Sequence, residues 1–124
     1  MNLSEFIVEV KQNPNQISFQ QTIEIIEENY HFSPTSFTNG EQKNEENTNN
    51  GSCKIFAFAK IHGLTKEETL ALFGDYYRIE VLENPEGTDH GNIRNFIKYG
   101  WEGISFKKSP LEKKINSTLF LCTN

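Results

Sequence analysis

The chain has 124 residues, about the length of one domain. Ten Phe, four Tyr and one Trp, in a composition that is only 35% hydrophobic, make a bulky apolar minority that excludes wholesale disorder, and no apolar run is long enough to span a membrane. The formal net charge of −5 argues against nucleic acid as a partner, while two cysteines, Cys53 and Cys122, are too few for a disulfide framework and fit a reducing compartment.

The acidity is concentrated early: residues 1–51 carry two Lys and eight Glu, whereas residues 52–124 carry ten Lys or Arg against nine acids. Glu5 and Glu9 stand where a secretory signal would carry positive charge, so export by that route is not expected. Leu3, Phe6, Ile7 and Val10 fall at helical spacing, with Asn2 and Glu5 as a capping pair and Pro14 as the stop. A second helix opens at Ser18, with Gln21 three residues on, and its stripe is Phe19, Ile23, Ile26 and Tyr30. Pro34 bars its continuation.

From Asn39 to Gly51 runs NGEQKNEENTNNG, thirteen residues without one apolar side chain. It is expected to be a polar surface loop that buries nothing. SCKIFAFAKIHG follows, apolar on more than one face, and predicts a buried central helix from an N-cap at Ser52 to a stop at Gly63. Thr65 and Glu68 form a further capping box. The stripe Leu70, Phe73, Tyr77 and Val81 then predicts a helix running through Gly74 towards Pro85, with Gly74-Asp75 as the place for a break and a strand over Arg78–Val81 as the competing assignment. A last helix is predicted from Thr88 or Asp89, through Ile93, Phe96 and Ile97, to Gly100. Trp101, Ile104 and Phe106 read as an extended segment folding back, Lys107, Lys108, Lys113 and Lys114 as a solvated basic segment, and the tail 115–124, with its run Leu119–Leu121, has no assignment. The expected fold is mainly α: one domain over 1–124, a bundle of five or six short helices around a central apolar helix, with one short extended segment near the C-terminus.

Two constellations can carry chemistry. Cys53 lies in the first turn of the central helix, where orphan amides favour a thiolate, and His90 beside Asp89 can act as a base oriented by a carboxylate. That set reads as a cysteine-dependent hydrolase or transferase, against the plainer reading of a buried structural thiol and an Asp N-cap. The second set is Tyr76, Arg78, Asn92, Arg94, Asn95 and Trp101, whose flat rings and hydrogen-bonding heads suit a polar pocket. Its rival is core packing with internal pairing of Arg78 or Arg94 to Asp75 or Asp89. His31, His62 and His90 are scattered without metal-ligand spacing, and no phosphate-binding glycine motif occurs, so neither a metal nor a cofactor is expected.

Three strings stand out together: GSCKIFAFAKIHGLTKEETLALFGDYYR, NPEGTDHGNIRNFIKYGWEGISF and, upstream, FTNGEQKNE. They resemble the HopJ type III effector family of bacterial proteins, over roughly Tyr30 to Phe106. The resemblance implies an effector-like protein and possible delivery by a type III system, and brings no enzymatic activity, substrate or cofactor with it. A type III signal is N-terminal, mobile and Ser-rich, whereas the first twenty residues here hold a capped amphipathic helix and only Ser4 and Ser18. The sequence reading is therefore a non-catalytic binding or interaction module resident in the cytoplasm, taking a protein or a small polar ligand, with no nucleic acid and no membrane as partner.

Overall fold

A computed structural model describes residues 1–114. The tail 115–124, including Leu119–Leu121 and Cys122, lies outside the described residues.

The capping signals mark real helix starts. Helix α1 (Leu3–Gln12) opens on a complete capping box between Asn2 and Glu5 and buries Phe6 and Val10. A 3-10 turn, Pro14–Gln16, leads to α2 (Phe19–Asn29), which opens on the Ser18–Gln21 box. Helix α3 (Asn50–Ile61) is the central element, burying Cys53, Ile55, Phe56, Ala57, Phe58 and Ala59 in succession. Such a run buries more than one face, which is why its sequence lacks a clean stripe. Phe56 meets the rings of Phe37, Phe73 and Phe96, and Phe58 meets those of Phe6 and Tyr30. Helix α4 (Lys66–Ala71) opens on the Thr65–Glu68 box.

The expected continuation of α4 fails at Gly74. That residue has φ +60°, and a Cβ there would stand 2.6 Å from the backbone nitrogen of Phe19. Only glycine fits a left-handed turn pressed so close to α2. The chain resumes as a π-helical segment, Tyr76–Val81, neither the α-helix nor the strand that the pattern allowed. Helix α5 (Gly91–Tyr99) starts after Thr88 and Asp89, with His90 in its N-cap position. A 3-10 turn, Gly100–Gly103, holds Trp101.

Five three-residue strands correct the mainly helical expectation to a mixed one. Strands β2 (Phe37–Asn39), β3 (Gln42–Asn44) and β4 (Ile104–Phe106) form an antiparallel sheet ordered β3-β2-β4, with Phe37 opposite both Asn44 and Phe106. Strands β1 (Tyr30–Phe32) and β5 (Leu111–Lys113) form a second pair. The segment read as a loop burying nothing is thus a β-hairpin followed by the first turn of α3. It also buries polar groups: Asn39 is 0% exposed and Asn44 3%. Strands this short display no alternation, and two of the hairpin's buried residues, Asn39 and Asn44, are amides rather than the β-branched or aromatic groups that announce a strand. At the hairpin turn Gly40 has φ +61°, and any Cβ there would collide with the Tyr99 ring.

Candidate functional site

The hairpin, the π-helical segment and the N-termini of α3 and α5 surround a cleft of about 350 Å³. Phe19, Phe73 and Tyr76 give it apolar faces. Gln42, Asn49, Ser52, His90 and Asn92 give it polar ones. Tyr76 stands between the ring of Phe19, at 5.0 Å edge to face, and that of His90, at 5.3 Å.

Behind the cleft lies a network of buried amides. Asn39 Nδ2 donates to the Asn92 carbonyl at 2.7 Å and to Asn92 Oδ1 at 3.0 Å. Asn92 Nδ2 donates to Asn44 Oδ1 at 2.9 Å, and Asn44 Nδ2 returns a bond to Asn92 Oδ1 at 3.1 Å. Asn49 and Gln42 also donate to Asn44 Oδ1, at 2.8 and 3.0 Å. Buried amides are tolerated only when paired in this way, and the pairing fixes the hairpin against α5. Among the described residues one buried side-chain atom, Asn39 Oδ1, has no partner.

The two helices that open on the cleft differ from the others. Helices α1, α2 and α4 have their first turns satisfied by capping boxes. At α3 and α5 the N-cap residues, Asn49 and His90, adopt left-handed backbone and supply no side-chain cap. The first amides of a helix have no intrahelical partner, so the polar character of the cleft includes backbone donors at Gly51, Ser52, Gly91 and Asn92.

The residues of the catalytic reading are engaged elsewhere. Cys53 is 1% exposed within the core, and burial pushes its thiol up to about 11, against the weaker opposing pull of a Thr35 backbone hydrogen bond and the Lys54 charge. A thiolate is the nucleophilic form, and this environment disfavours it. His90 Nε2 instead bonds Glu80 Oε1 at 2.7 Å. The Asp89 carboxylate bonds Arg94 at 2.7 Å, and the Arg94 guanidinium holds its carboxyl below the usual range.

The polar-aromatic set divides. Tyr76 and Asn92 line the cleft. Arg78 faces away, donating to the carbonyls of Pro14 and Ile17, with Asp75 at 3.7 Å. Arg94 is held by Asp89 and by the Asn84 carbonyl at 2.8 Å. Asn95 accepts from the Glu41 amide at the hairpin turn, and Trp101 Nε1 donates to the Leu64 carbonyl at 3.0 Å. Both arginines therefore follow the internal-pairing reading, although their acid partners are exposed rather than buried. Sequence reasoning missed Gln42, Asn49 and Glu80. The first two lay in the supposed loop, and Glu80 carries no signal beyond its place as an exposed residue of a helical segment.

These features define a mixed helical domain with a polar, aromatic-walled cleft beside a paired, buried amide cluster. The chain belongs to the HopJ type III effector protein family, whose model matches residues 3–111. It is also similar to the crystal structure of VPA0580, a protein of unknown function, at 52% identity over 92% of this chain and 95% of that one, with a TM-score of 0.91. No functionally curated protein matches it.

Proposed function

We propose that this HopJ-family protein is a non-catalytic binding module whose cleft takes a small polar ligand bearing a flat ring and an acceptor group such as a carboxylate. The observation that carries this reading is the convergence of two uncapped helix N-termini on a cleft walled by Tyr76 and Phe19. Orphan amides offer donors to an oxygen acceptor, and an exposed tyrosine offers a stacking face. The rigid amide cluster behind them supports the same reading, because it holds both helix starts without a ligand's help.

The test is a nuclear magnetic resonance titration of the full chain with small aromatic carboxylates. Binding is expected to shift the amides of Gly51, Ser52, Gly91 and Asn92 together, and Tyr76→Ala is expected to weaken it by about tenfold. Shifts scattered over the surface, or binding that ignores Tyr76→Ala, would reject the cleft. A resident cytoplasmic role is supported by the burial of Phe6 and Val10, which fastens the N-terminal helix into the core. The family's description points instead to type III secretion. No helix among the described residues is long and apolar enough to cross a membrane.

A further inference from the structure

Six large apolar side chains stand exposed among the described residues, and three of them, Tyr76, Ile79 and Leu82, belong to the π-helical segment and its C-terminal cap. Tyr76 walls the cleft, but Ile79 and Leu82, at 48% and 52% exposure, take no part in it. Leu82 instead lines a second groove of about 250 Å³, with Val81, Pro85, Arg94 and Ile97. We infer that this groove is the docking site for a basic amphipathic helix of another protein, which seats an aliphatic side chain in it and sets lysine or arginine against Glu83 and Glu86. This goes beyond the cleft reading and does not depend on it.

The needs of the fold do not account for these side chains. Val81, 3% exposed, and the half-buried Tyr77 carry the packing of the segment on the core. Polar residues at positions 79 and 82 would serve that packing equally well. A single exposed apolar group is ordinary, but this leucine borders a groove whose other walls, Val81, Pro85 and Ile97, are apolar too. Arg94, the one charged wall, is engaged internally: Nε donates to the Asp89 carbonyl at 2.6 Å, Nη1 to the Asn84 carbonyl at 2.8 Å and Nη2 to Asp89 Oδ1 at 2.7 Å. The groove is smaller than small-molecule pockets, which run to roughly 300–1,000 Å³. Its size suits the anchor side chains of a helix laid across it.

Charge decides what can cover it. Residues 75–89 carry five acids and one arginine, Arg78, which is turned to the carbonyls of Pro14 and Ile17. Asp89 is paired with Arg94, and Glu80 with His90. Glu83 and Glu86 are exposed and form no ion pair among the described residues. Glu83 directly follows Leu82 and Glu86 directly follows Pro85, so both acids stand next in the chain to walls of the groove. A nucleic acid or an anionic membrane would meet them with repulsion. A second copy docking through the same face would bring Glu83 and Glu86 against their own counterparts about a twofold axis. A helix with an aliphatic stripe flanked by lysine or arginine satisfies the groove and its acids together.

The test is calorimetric titration of the full chain with the synthetic peptide acetyl-KLAKLAKKLAKLAK-amide, whose leucines form one helical stripe between lysines, and with its charge-reversed twin acetyl-ELAELAEELAELAE-amide. The basic peptide is expected to bind with a micromolar dissociation constant, and the acidic twin not at all. Leu82→Ser is expected to weaken binding at least tenfold, with circular dichroism showing the variant still folded, while Val8→Ser, at a similarly exposed position on α1, leaves it unchanged. Glu83→Gln combined with Glu86→Gln is expected to weaken binding severalfold more than Glu45→Gln combined with Glu46→Gln, which removes the same charge elsewhere. Tyr76→Ala is expected to retain the peptide even where it loses the aromatic carboxylate, which separates this site from the cleft. Absence of saturable binding, equal binding of the acidic twin, binding indifferent to Leu82→Ser, or equal losses in the two glutamate double variants would overturn the site. Self-association of the protein that Leu82→Ser abolishes would overturn it too, by giving the groove to a second copy.

Discussion

Cys53 shows how burial overrides a position that favours reactivity. Its place in the first turn of α3 offers it the helix dipole, yet desolvation dominates and the thiol sits at about 11. Peptide mass spectrometry after iodoacetamide treatment at neutral pH is therefore expected to find Cys53 unmodified in the folded protein and alkylated once denaturant is added. Rapid modification of the native protein would restore the nucleophile reading. Asn39, Asn44 and Asn92 make the opposite point. Each is polar and by type belongs at the surface, but mutual hydrogen bonding allows burial that an isolated amide could not sustain.

At the scale of elements, the hairpin β2–β3 is a structural member rather than a connector. It pairs with β4 on one side and contributes Asn39 and Asn44 to the cluster on α5. Loop-closure entropy alone would make deletion of Lys43–Thr48 nearly neutral. Because that deletion removes Asn44 and leaves the side-chain amides of Asn92, Asn49 and Gln42 without their shared acceptor, it is expected to destabilise by more than the roughly 1–3 kcal/mol of one unsatisfied buried group, a large share of an ordinary domain's stability in a denaturant titration. Near-wild-type stability would mean the amide cluster contributes little. Helices were largely legible in the sequence because their starts are written in side chains: Asn2–Glu5, Ser18–Gln21 and Thr65–Glu68 each form the box that their spacing predicts. The strands were not legible. The β1–β5 and β2–β4 partners lie tens of residues apart, and in the β2–β3 hairpin FTN and QKN carry too little alternation to announce a strand. The same distance hid the cleft, since Gln42, Ser52, Tyr76 and His90 become neighbours only through the hairpin and the break at Gly74.

The whole molecule is closed by contacts between its early and late segments. Strand β5 lies against β1, Lys114 Nζ donates to the Glu27 carbonyl at 2.7 Å, and Tyr30 OH bonds His62 Nε2 at 2.7 Å where β1 meets the end of α3. Burial, with a smaller contribution from the Lys113 charge, holds the His62 pKa below its ordinary 6.5. The unfolded chain therefore takes up this proton first as the pH falls. The stabilising contribution of neutral His62 is complete above about pH 6.5 and is lost as the pH falls from there through the lower folded value. Melting temperatures measured across that window are expected to fall for the wild type and to flatten in His62→Gln. An equal slope in both proteins would assign the acid sensitivity elsewhere.

The pairing of Asn39 and Asn44 with Asn92 also dictates an order of events on the ribosome. The hairpin emerges early, but the amides it must bury have no partner until residues some fifty positions later have been synthesised. Strand β4, which supplies Phe106 opposite Phe37, arrives later still. Throughout that interval the nascent chain carries Phe56 without its α5 partner, Phe96. A chain held at that stage exposes apolar surface, and its tendency to aggregate ends only when α5 and β4 arrive.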